Sequence, residues 1–475
     1  MIPALGVKGA RIGVLGMGRS GLAAAKAIAL GGGAPVCWDD SAAGRAAAEA
    51  AGHETADLTD PTVAKGLHRL LVSPGVPHLY PAPHTAIAVA ARLGLALDND
   101  VGLFLETVRR MGEREGQDAP KTIAITGSNG KSTTAALIHH LLQAAGRAAQ
   151  LGGNIGRAVF DLEPLRRGEV IVLELSSYQT ELAARLQPTV AALTNLSPDH
   201  LDRHGGLGGY FAAKRRLFIA GRPELCVIGV DEPEGRFLAQ SLASEARPGE
   251  ERRIRRVSVR DTLAEDPHAL AMEGDTLIDR QGTEAAGPHR YALSGLARLP
   301  GRHNHQNIAI SVAAVAHLGL TPAEIMAGLE SFQGLSHRLA FVAERGGVVF
   351  VNDSKATNVE AAECALLAYP RVRWIAGGRE KEPGELAKLR AHKDRIARVY
   401  LIGECAASFA EQLRDGPPLA MCDTVEAAVA RAGAEAEPGD TVLFSPAAAS
   451  FDQFADFEAR GRAFEAAVRA LLSAE

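Results

Sequence analysis

The stretch AITGSNGKSTT, residues 124–134, limits the possible folds more than any other part of this chain. An apolar run, TIAIT, enters a glycine turn and leaves as an alanine- and leucine-rich helical pattern, STTAALIHHLLQAAG. A strand, a tight turn and a helix in that order belong to a parallel sheet. The N–H groups and dipole of the helix start then form an anion site at the strand end. The usual phosphate loop, G-x-x-x-x-G-K-[ST], carries a glycine five positions before its second one. Here that position is Ile125, so the cradle is shortened, with Gly127 and Gly130 as its glycines. Ser128, Asn129 and Thr133 complete a loop expected to hold ATP. Lys131 is expected to reach its β- and γ-phosphates, and Ser132 to face Mg2+.

The same alternation of strand and helix runs on both sides. RIGVLGMG, APVCWDD and RLLVSPGVP read as strands, with SGLAAAKAIAL and TAIAVAARLGL as helices between or after them. The charged, Pro-terminated residues 109–120 read as a linker. A second α/β unit follows, with a polar, strand-like stretch near residues 241–299 expected as an antiparallel flank. GGVVFVNDS, RVRWIAGG, RIARVYLIG and DTVLFSP give the four strands of a third unit. Two alanine-rich stretches, AAGRAAAEAAG and AAVARAGAEAEPG, read as surface helices. At 475 residues the chain exceeds what one core supports, and 47% hydrophobic content is enough for several. The expectation is α/β throughout, in three domains. They are an N-terminal Rossmann-like domain (1–108), a central P-loop ATPase-like domain with the flank (109–334) and a C-terminal Rossmann-like domain (335–475).

With 51 basic against 56 acidic residues, the balance argues against a general nucleic-acid or membrane binder. Five cysteines without C-x-x-C spacing argue against a disulfide framework or thiolate zinc site. No apolar run reaches the roughly 20 residues that span a bilayer. A soluble cytoplasmic protein follows; a monomer is expected, though these features do not bear on oligomeric state.

A phosphate loop needs an acid at a neighbouring strand end to hold its metal. EVIVLELSS places Glu174 there. TNLSPDHLDRHGG then packs Asp199, His200, Asp202, Arg203 and His204 into one loop, a residue set suited to holding a cation or moving protons. Near the N-terminus, GMGRSG is a G-x-G-x-x-G at Gly16, Gly18 and Gly21, and Asp39 ends the next strand. This spacing is the dinucleotide fingerprint, which makes a nicotinamide dehydrogenase a competing reading. HNHQN and the polar burst VNDSKATN at a strand's C-terminal end are further candidate ligand sites.

Taken together, TGSNGKST, GGNIG, LELSSYQ, TNLSPDHLDRH, YFAAKRRLF, LPGRHNHQN, GLSHR, VNDSKATN, AGGREK and SPAAASFDQF resemble the Mur ligases, in family order and over essentially the whole chain. TGSNGKST alone marks a wider ligase superfamily that includes folylpolyglutamate synthases. VNDSKATN and SFDQF point to D-glutamate as the incoming amino acid. The resemblance implies an ATP-dependent ligase that phosphorylates the carboxylate of UDP-N-acetylmuramoyl-L-alanine and joins it to D-glutamate, in peptidoglycan precursor synthesis. It implies Ser132 and Glu174 at one Mg2+, and His200 and Lys214 at a second. An ammonium cannot bind a cation, so Lys214 is expected to be carbamylated. Gly16, Gly18, Ser20, Gly21, Asp39, Ser73, Pro74 and Gly75 are implied as the UDP pocket, with Asn154 on the muramoyl-alanine part. Asn304, Asn307, Arg338 and Asp353 are implied along the nucleotide. Lys355, Thr357, Lys381, Ser450 and the Phe457 backbone are implied around D-glutamate. One departure is Ala448, where the family pattern has Cys.

A folate-type glutamate ligase, the dehydrogenase and an ATP-driven switch without an acceptor are the alternatives. The dehydrogenase leaves LELSSYQ and VNDSKATN unexplained.

Overall fold

A computed structural model describes residues 1–116, 119–245, 253–281, 287–296, 298–381 and 383–473. The described strands are β1 (Arg11–Leu15), β2 (Ala34–Trp38), β3 (Glu54–Thr55), β4 (Arg69–Val72), β5 (Ala96–Asp98), β6 (Lys121–Thr126), β7 (Ala149–Gly153), β8 (Val170–Glu174), β9 (Val190–Leu193) and β10 (Leu225–Gly229). They continue with β11 (Ile254–Ser258), β12 (Leu270–Glu273), β13 (Thr276–Asp279), β14 (His289–Ala292), β15 (Ala340–Arg345), β16 (Val348–Asn352), β17 (Val372–Gly377), β18 (Ile396–Ile402), β19 (Leu419–Asp423) and β20 (Thr441–Phe444).

They form three sheets, as an α/β chain with three strand–helix alternations should. The first, in the order β3-β2-β1-β4-β5, is parallel throughout. The order reverses between β1 and β4, so the glycine turn after β1 and Ser73–Pro74–Gly75 after β4 flank the crevice where open sheets take ligands. The second runs β14-β13-β12-β11-β10-β9-β6-β8-β7. Its centre is parallel, and β6, which leads into the phosphate loop, lies between β8 and β9. The flank adds β11 and β12 in parallel before β13 and β14 turn antiparallel. Residues 246–252, 282–286 and 297 of that expected flank lie outside the described residues. The third sheet is β15-β16-β20-β17-β18-β19. It contains the four expected strands plus β15, antiparallel on β16, and β19, parallel on β18.

The described chain forms two compact units, Met1–Leu293 with Gln306–Glu330, and Ser294–His305 with Ser331–Glu475. In the first unit a continuous apolar core runs from Ile2 and Ile28 through Phe104 and Phe160 to Leu173 and Ile228. It therefore joins the first two sheets. The linker reading is corrected here: residues 109–115 continue the helix Asp100–Glu115, while residues 117–118 lie outside the described residues. The charges there sit on helix surface and do not break it. Arg110, for example, pairs with Glu106 one turn earlier at 2.8 Å.

Of the alanine-rich helices, Ala42–Ala50 buries only Ala48 and is superficial. Val425–Glu435 buries Val425, Ala428, Val429 and Ala432, an i, i+3, i+4, i+7 stripe on the core of the second unit. Its alanines carry too little hydrophobic contrast for the stripe to stand out in sequence. Among the described residues no helix is long and apolar enough to cross a membrane. The five cysteines form no disulfide.

Candidate active site

The helix Lys131–Ala144 starts at Gly130, whose φ of 80° is left-handed. Gly127, at φ 145°, has no room for a β-carbon, which would collide with Thr194. A β-carbon on Gly130 would collide with Asn307 in the same way. The short loop is therefore a fitted one, in which glycines are required by conformation and by space. Residues following β9 brace it. Thr194 Oγ1 donates to Asn129 O at 2.6 Å, Asn129 N donates to Asn195 Oδ1 at 2.9 Å, and Ser128 Oγ donates to Ser197 O at 2.8 Å. Asn307 accepts from Thr134 Oγ1 at 3.1 Å and so supports the helix start. Lys131 Nζ donates to Ser128 O at 2.6 Å, folding its cation over the cradle.

Ser132 and Glu174 are both buried, and Ser132 Oγ donates to Glu174 Oε2 at 2.5 Å. The other carboxylate oxygen accepts from Asn154 Nδ2 at 3.0 Å. Asn154 thus lies on Glu174, at the end of β7 beside β8. The hydroxyl and carboxylate oxygens here are the hard donors that Mg2+ takes, placed where the loop aims phosphate oxygens, so the residues fit that ion.

Lys214, on the helix Leu207–Ile219, is 2% exposed. Its Nζ donates to Gly127 O at 2.8 Å and stands 4.4 Å from the centre of the Tyr210 ring. Burial, and then the charge of Lys131, hold its pKa well below the usual lysine value. This is a buried amine poised to lose its proton. Tyr210 Oη lies 3.1 Å from Ser128 Oγ, which ties the same helix to the phosphate loop. His200 adopts φ 53°, unusual for a residue with a side chain, and its Nε2 is 3.5 Å from Asp199. Its ring is half exposed beside Tyr178, at 5.3 Å. His204 belongs elsewhere: it is buried between Ser177 Oγ and Glu181, each at 2.9 Å.

At the N-terminal crevice, Ser73 Oγ donates to Gly16 O at 2.7 Å, joining the two expected pocket loops. Asp39 Oδ2 accepts from Met17 N at 2.7 Å, and Oδ1 accepts from Ser41 N and Oγ at 2.9 and 2.7 Å. Burial raises its pKa, but those hydrogen bonds and Arg45 outweigh it and leave the carboxyl below its usual value. Both oxygens are engaged by the chain itself, so the fingerprint acid shapes the glycine turn. Ser20 lies in the first turn of the helix Arg19–Leu30, against the buried Asp100.

In the second unit, loops after β16, β17 and β20 meet. Arg379 N and O pair with Ala449 O and N at 2.8 and 2.9 Å. Lys355 Nζ lies 3.8 Å from the Phe457 ring centre, Lys381 Nζ is 3.5 Å from Thr357 Oγ1, and Ser450 is buried. Ser354 Oγ donates to Phe457 O at 2.9 Å. The expected donors thus share one end of this sheet. Arg460, fully buried, donates to Ser354 O at 2.8 Å and to Ala448 O at 3.0 Å and clamps two of these loops. Asn304 Nδ2 donates to Pro300 O at 2.8 Å. Asp353 accepts from Ser445 Oγ at 2.8 Å and Leu339 N at 3.1 Å, beside Arg338.

Burial lifts the Asp353 carboxyl to about 7. The folded state therefore holds this proton at pH values where the unfolded chain has released it. Stability at this position falls as pH rises from about 4 to about 7 and is level above that. Asp353→Asn is expected to flatten that slope. Urea unfolding at pH 5 and pH 7.5 checks it, read from Trp374, whose Nε1 donates to Ser445 O, with Trp38 changed to Phe.

Two family models match the chain: the Mur ligase middle domain over residues 125–315 and the Mur ligase glutamate ligase domain over residues 337–448. A protein of Dinoroseobacter shibae named UDP-N-acetylmuramoylalanine--D-glutamate ligase is 53% identical over 98% of this chain and 99% of its own length. The chain belongs to the Mur ligases. A Ruegeria pomeroyi protein of the same name is 52% identical over 99% of each chain. In fold, this Mur ligase is similar to the UDP-N-acetylmuramate-alanine ligase of Thermotoga maritima, with TM-score 0.56 at 16% identity over 98% of this chain and 100% of that one. The sequence reading of this Mur ligase passed over Thr194, Asn195, Tyr210 and Arg460. Each acts by bracing another site residue, and a brace has no motif of its own. Thr194 and Asn195 lie in TNLSPDHLDRH and Tyr210 in YFAAKRRLF, whereas Arg460 lies outside every family-like stretch.

Proposed function

We propose that this Mur ligase joins D-glutamate to UDP-N-acetylmuramoyl-L-alanine with ATP, as a cytoplasmic monomer in peptidoglycan precursor synthesis. The observation that carries the reading is the buried Ser132–Glu174 pair and the buried Lys214 around a fitted phosphate loop, in a chain more than half identical along its length to ligases of that name. A carboxylate is a poor electrophile. Its oxygen attacks the γ-phosphorus, ADP leaves, and the resulting acyl phosphate gives the carbonyl carbon a leaving group. The amine of D-glutamate attacks that carbon, phosphate departs, and the nitrogen gives up its proton.

Residues 1–108 hold the UDP part, through Gly16, Gly18, Ser20, Gly21, Asp39 and Ser73–Pro74–Gly75. Residues 109–334 hold ATP through Gly127–Thr133 and Asn307, with Asn154 toward the muramoyl-alanine part. Residues 335–475 carry Arg338 and Asp353 for the nucleotide, as Asn304 does, and Lys355, Thr357, Lys381, Ser450 and the Phe457 backbone for D-glutamate. Ser132 and Glu174 hold one Mg2+; His200 and a carbamylated Lys214 hold a second. Bound there, Mg2+ neutralises phosphate charge. Lys131 supplies the remaining positive charge where the acyl phosphate forms.

The test is phosphate release from ATP with UDP-N-acetylmuramoyl-L-alanine, with D-glutamate, L-glutamate or neither added. Release is expected only with D-glutamate. Equal rates with the L-enantiomer, or with a folate acceptor, would reject the substrate assignment, and release without any acceptor would indicate a switch.

A further inference from the structure

We propose that residues 76–84 form a strap that couples occupancy of the UDP pocket to the phosphate-handling residues, with His78, Tyr80, Glu181 and His204 as positioning residues. The strap starts beside Ser73 of the expected pocket and ends on Asp40, the neighbour of Asp39. At one end Val76 N donates to Ser73 O at 3.0 Å, and Ser73 bonds Gly16. At the other, His84 Nδ1 accepts from Ala86 N, so Nε2 bears the proton it shares with the Asp40 carboxylate at 3.1 Å. His84 N donates to Pro77 O at 3.0 Å and closes the segment into a loop.

Its middle reaches the neighbouring sheet's machinery. His78 Nε2 is 3.4 Å from Glu181 Oε1, and the other oxygen of Glu181 is 2.9 Å from His204 Nδ1. The Tyr80 ring lies on Gly205, close enough that a β-carbon there would meet the ring at 2.7 Å. The strap thus reaches the 200–206 turn at two adjacent residues, His204 through the Glu181 carboxylate and Gly205 through the Tyr80 ring. From His204 the contacts are ring to ring. Tyr178 stacks at 5.2 Å and leads to His200 at 5.3 Å, and Tyr210 at 5.4 Å leads to Lys214 Nζ at 4.4 Å. Close-packed rings of this kind pass a shift on and do not absorb it. A ligand that orders Ser73 and the turn carrying Asp39 and its neighbour Asp40 therefore fixes the strap, and the strap fixes His200 and Lys214. Leu79 and Tyr80 are about half exposed, so the strap is held by these anchors and not by a core of its own.

The inference rests on the reading that the crevice binds a uridine diphosphate, and one calorimetric experiment on the full-length protein separates the two. UDP is titrated alone and in the presence of saturating Mg2+ and a non-hydrolysable ATP analogue. The wild type is expected to bind UDP about tenfold more tightly with the nucleotide present, within the usual range of coupling between sites. His78→Ala combined with Tyr80→Ala is expected to bind UDP alone within about twofold of wild type and to lose the coupling. Tyr80→Phe, which keeps the ring on Gly205, is expected to keep it. If the double variant does not fold, Tyr80→Ala alone carries the same expectation. Coupling that survives in the alanine variants, or that is absent from the wild type, overturns the strap. Failure of UDP to bind the wild type overturns the pocket reading and the strap with it.

Discussion

Lys131→Ala is expected to lower D-glutamate-dependent phosphate release by about 10²–10³-fold, the scale of removing one preorganised cationic or hydrogen-bonding group from a site of developing charge. In the structure its ammonium is already held over the loop by Ser128 O. Phosphate oxygens arriving at the cradle meet a positioned cation, so little reorganisation is needed when charge builds on the γ-phosphorus. The loss should fall mainly on kcat, because transition-state charge exceeds ground-state charge at that point. Folding should change little. The glycine conformations and the braces from Thr194, Asn195 and Ser197 do not involve this side chain. Steady-state phosphate release alongside thermal unfolding checks both statements. Undiminished turnover would remove Lys131 from the mechanism.

Lys214→Met is expected to reduce activity on a similar scale while leaving stability unchanged or raising it. A fully buried amine costs free energy whichever way it resolves its charge, and methionine fills nearly the same volume without that cost. Wild-type Lys214 offers Gly127 O one hydrogen bond in return, typically about 1 kcal/mol. Its depressed pKa makes available the neutral amine that the proposed carbamylation by CO2 requires, a reaction closed to an ammonium. Enzyme equilibrated with 13C-bicarbonate is therefore expected to show a carbamate carbon signal that the Met variant lacks. An active Met variant, or a destabilised one, would show that Lys214 serves packing alone.

Much of this site was legible in the sequence because its chemistry is tied to element ends. Lys131, Ser132 and Glu174 follow apolar runs, and β6 and β8 end where those runs end. The three sheets were legible for the same reason. Long-range partnership was not. Asp39 sits where a ribose-reading acid sits, yet its oxygens serve Met17 and Ser41. Asn154, expected toward the muramoyl-alanine part, also donates to Glu174, a partner its position in the chain does not announce. His200 and His204 occur in one short loop, yet the first ring is half exposed and the second is buried. Spacing along the chain cannot distinguish such fates, because burial and partner are set by elements that arrive from elsewhere. The charged run at 109–115 misled for a simpler reason: a solvated helix face and a linker have the same composition.

The helix Asp100–Glu115 runs past the end of the first sheet without a break, and Phe104 on it meets Phe160 edge-on at 5.7 Å. Ile2 N also donates to Phe160 O at 3.1 Å, which ties the chain's first residues to the body of the second sheet. The first sheet, proposed to carry the sugar nucleotide, and the phosphate-loop sheet are consequently not interchangeable cassettes. A recombination event crossing near residue 108 would have to match both halves of one apolar core. In such an architecture, substitutions in the crevice loops where Gly16 and Ser73 meet would alter the proposed UDP pocket while leaving that shared core in place.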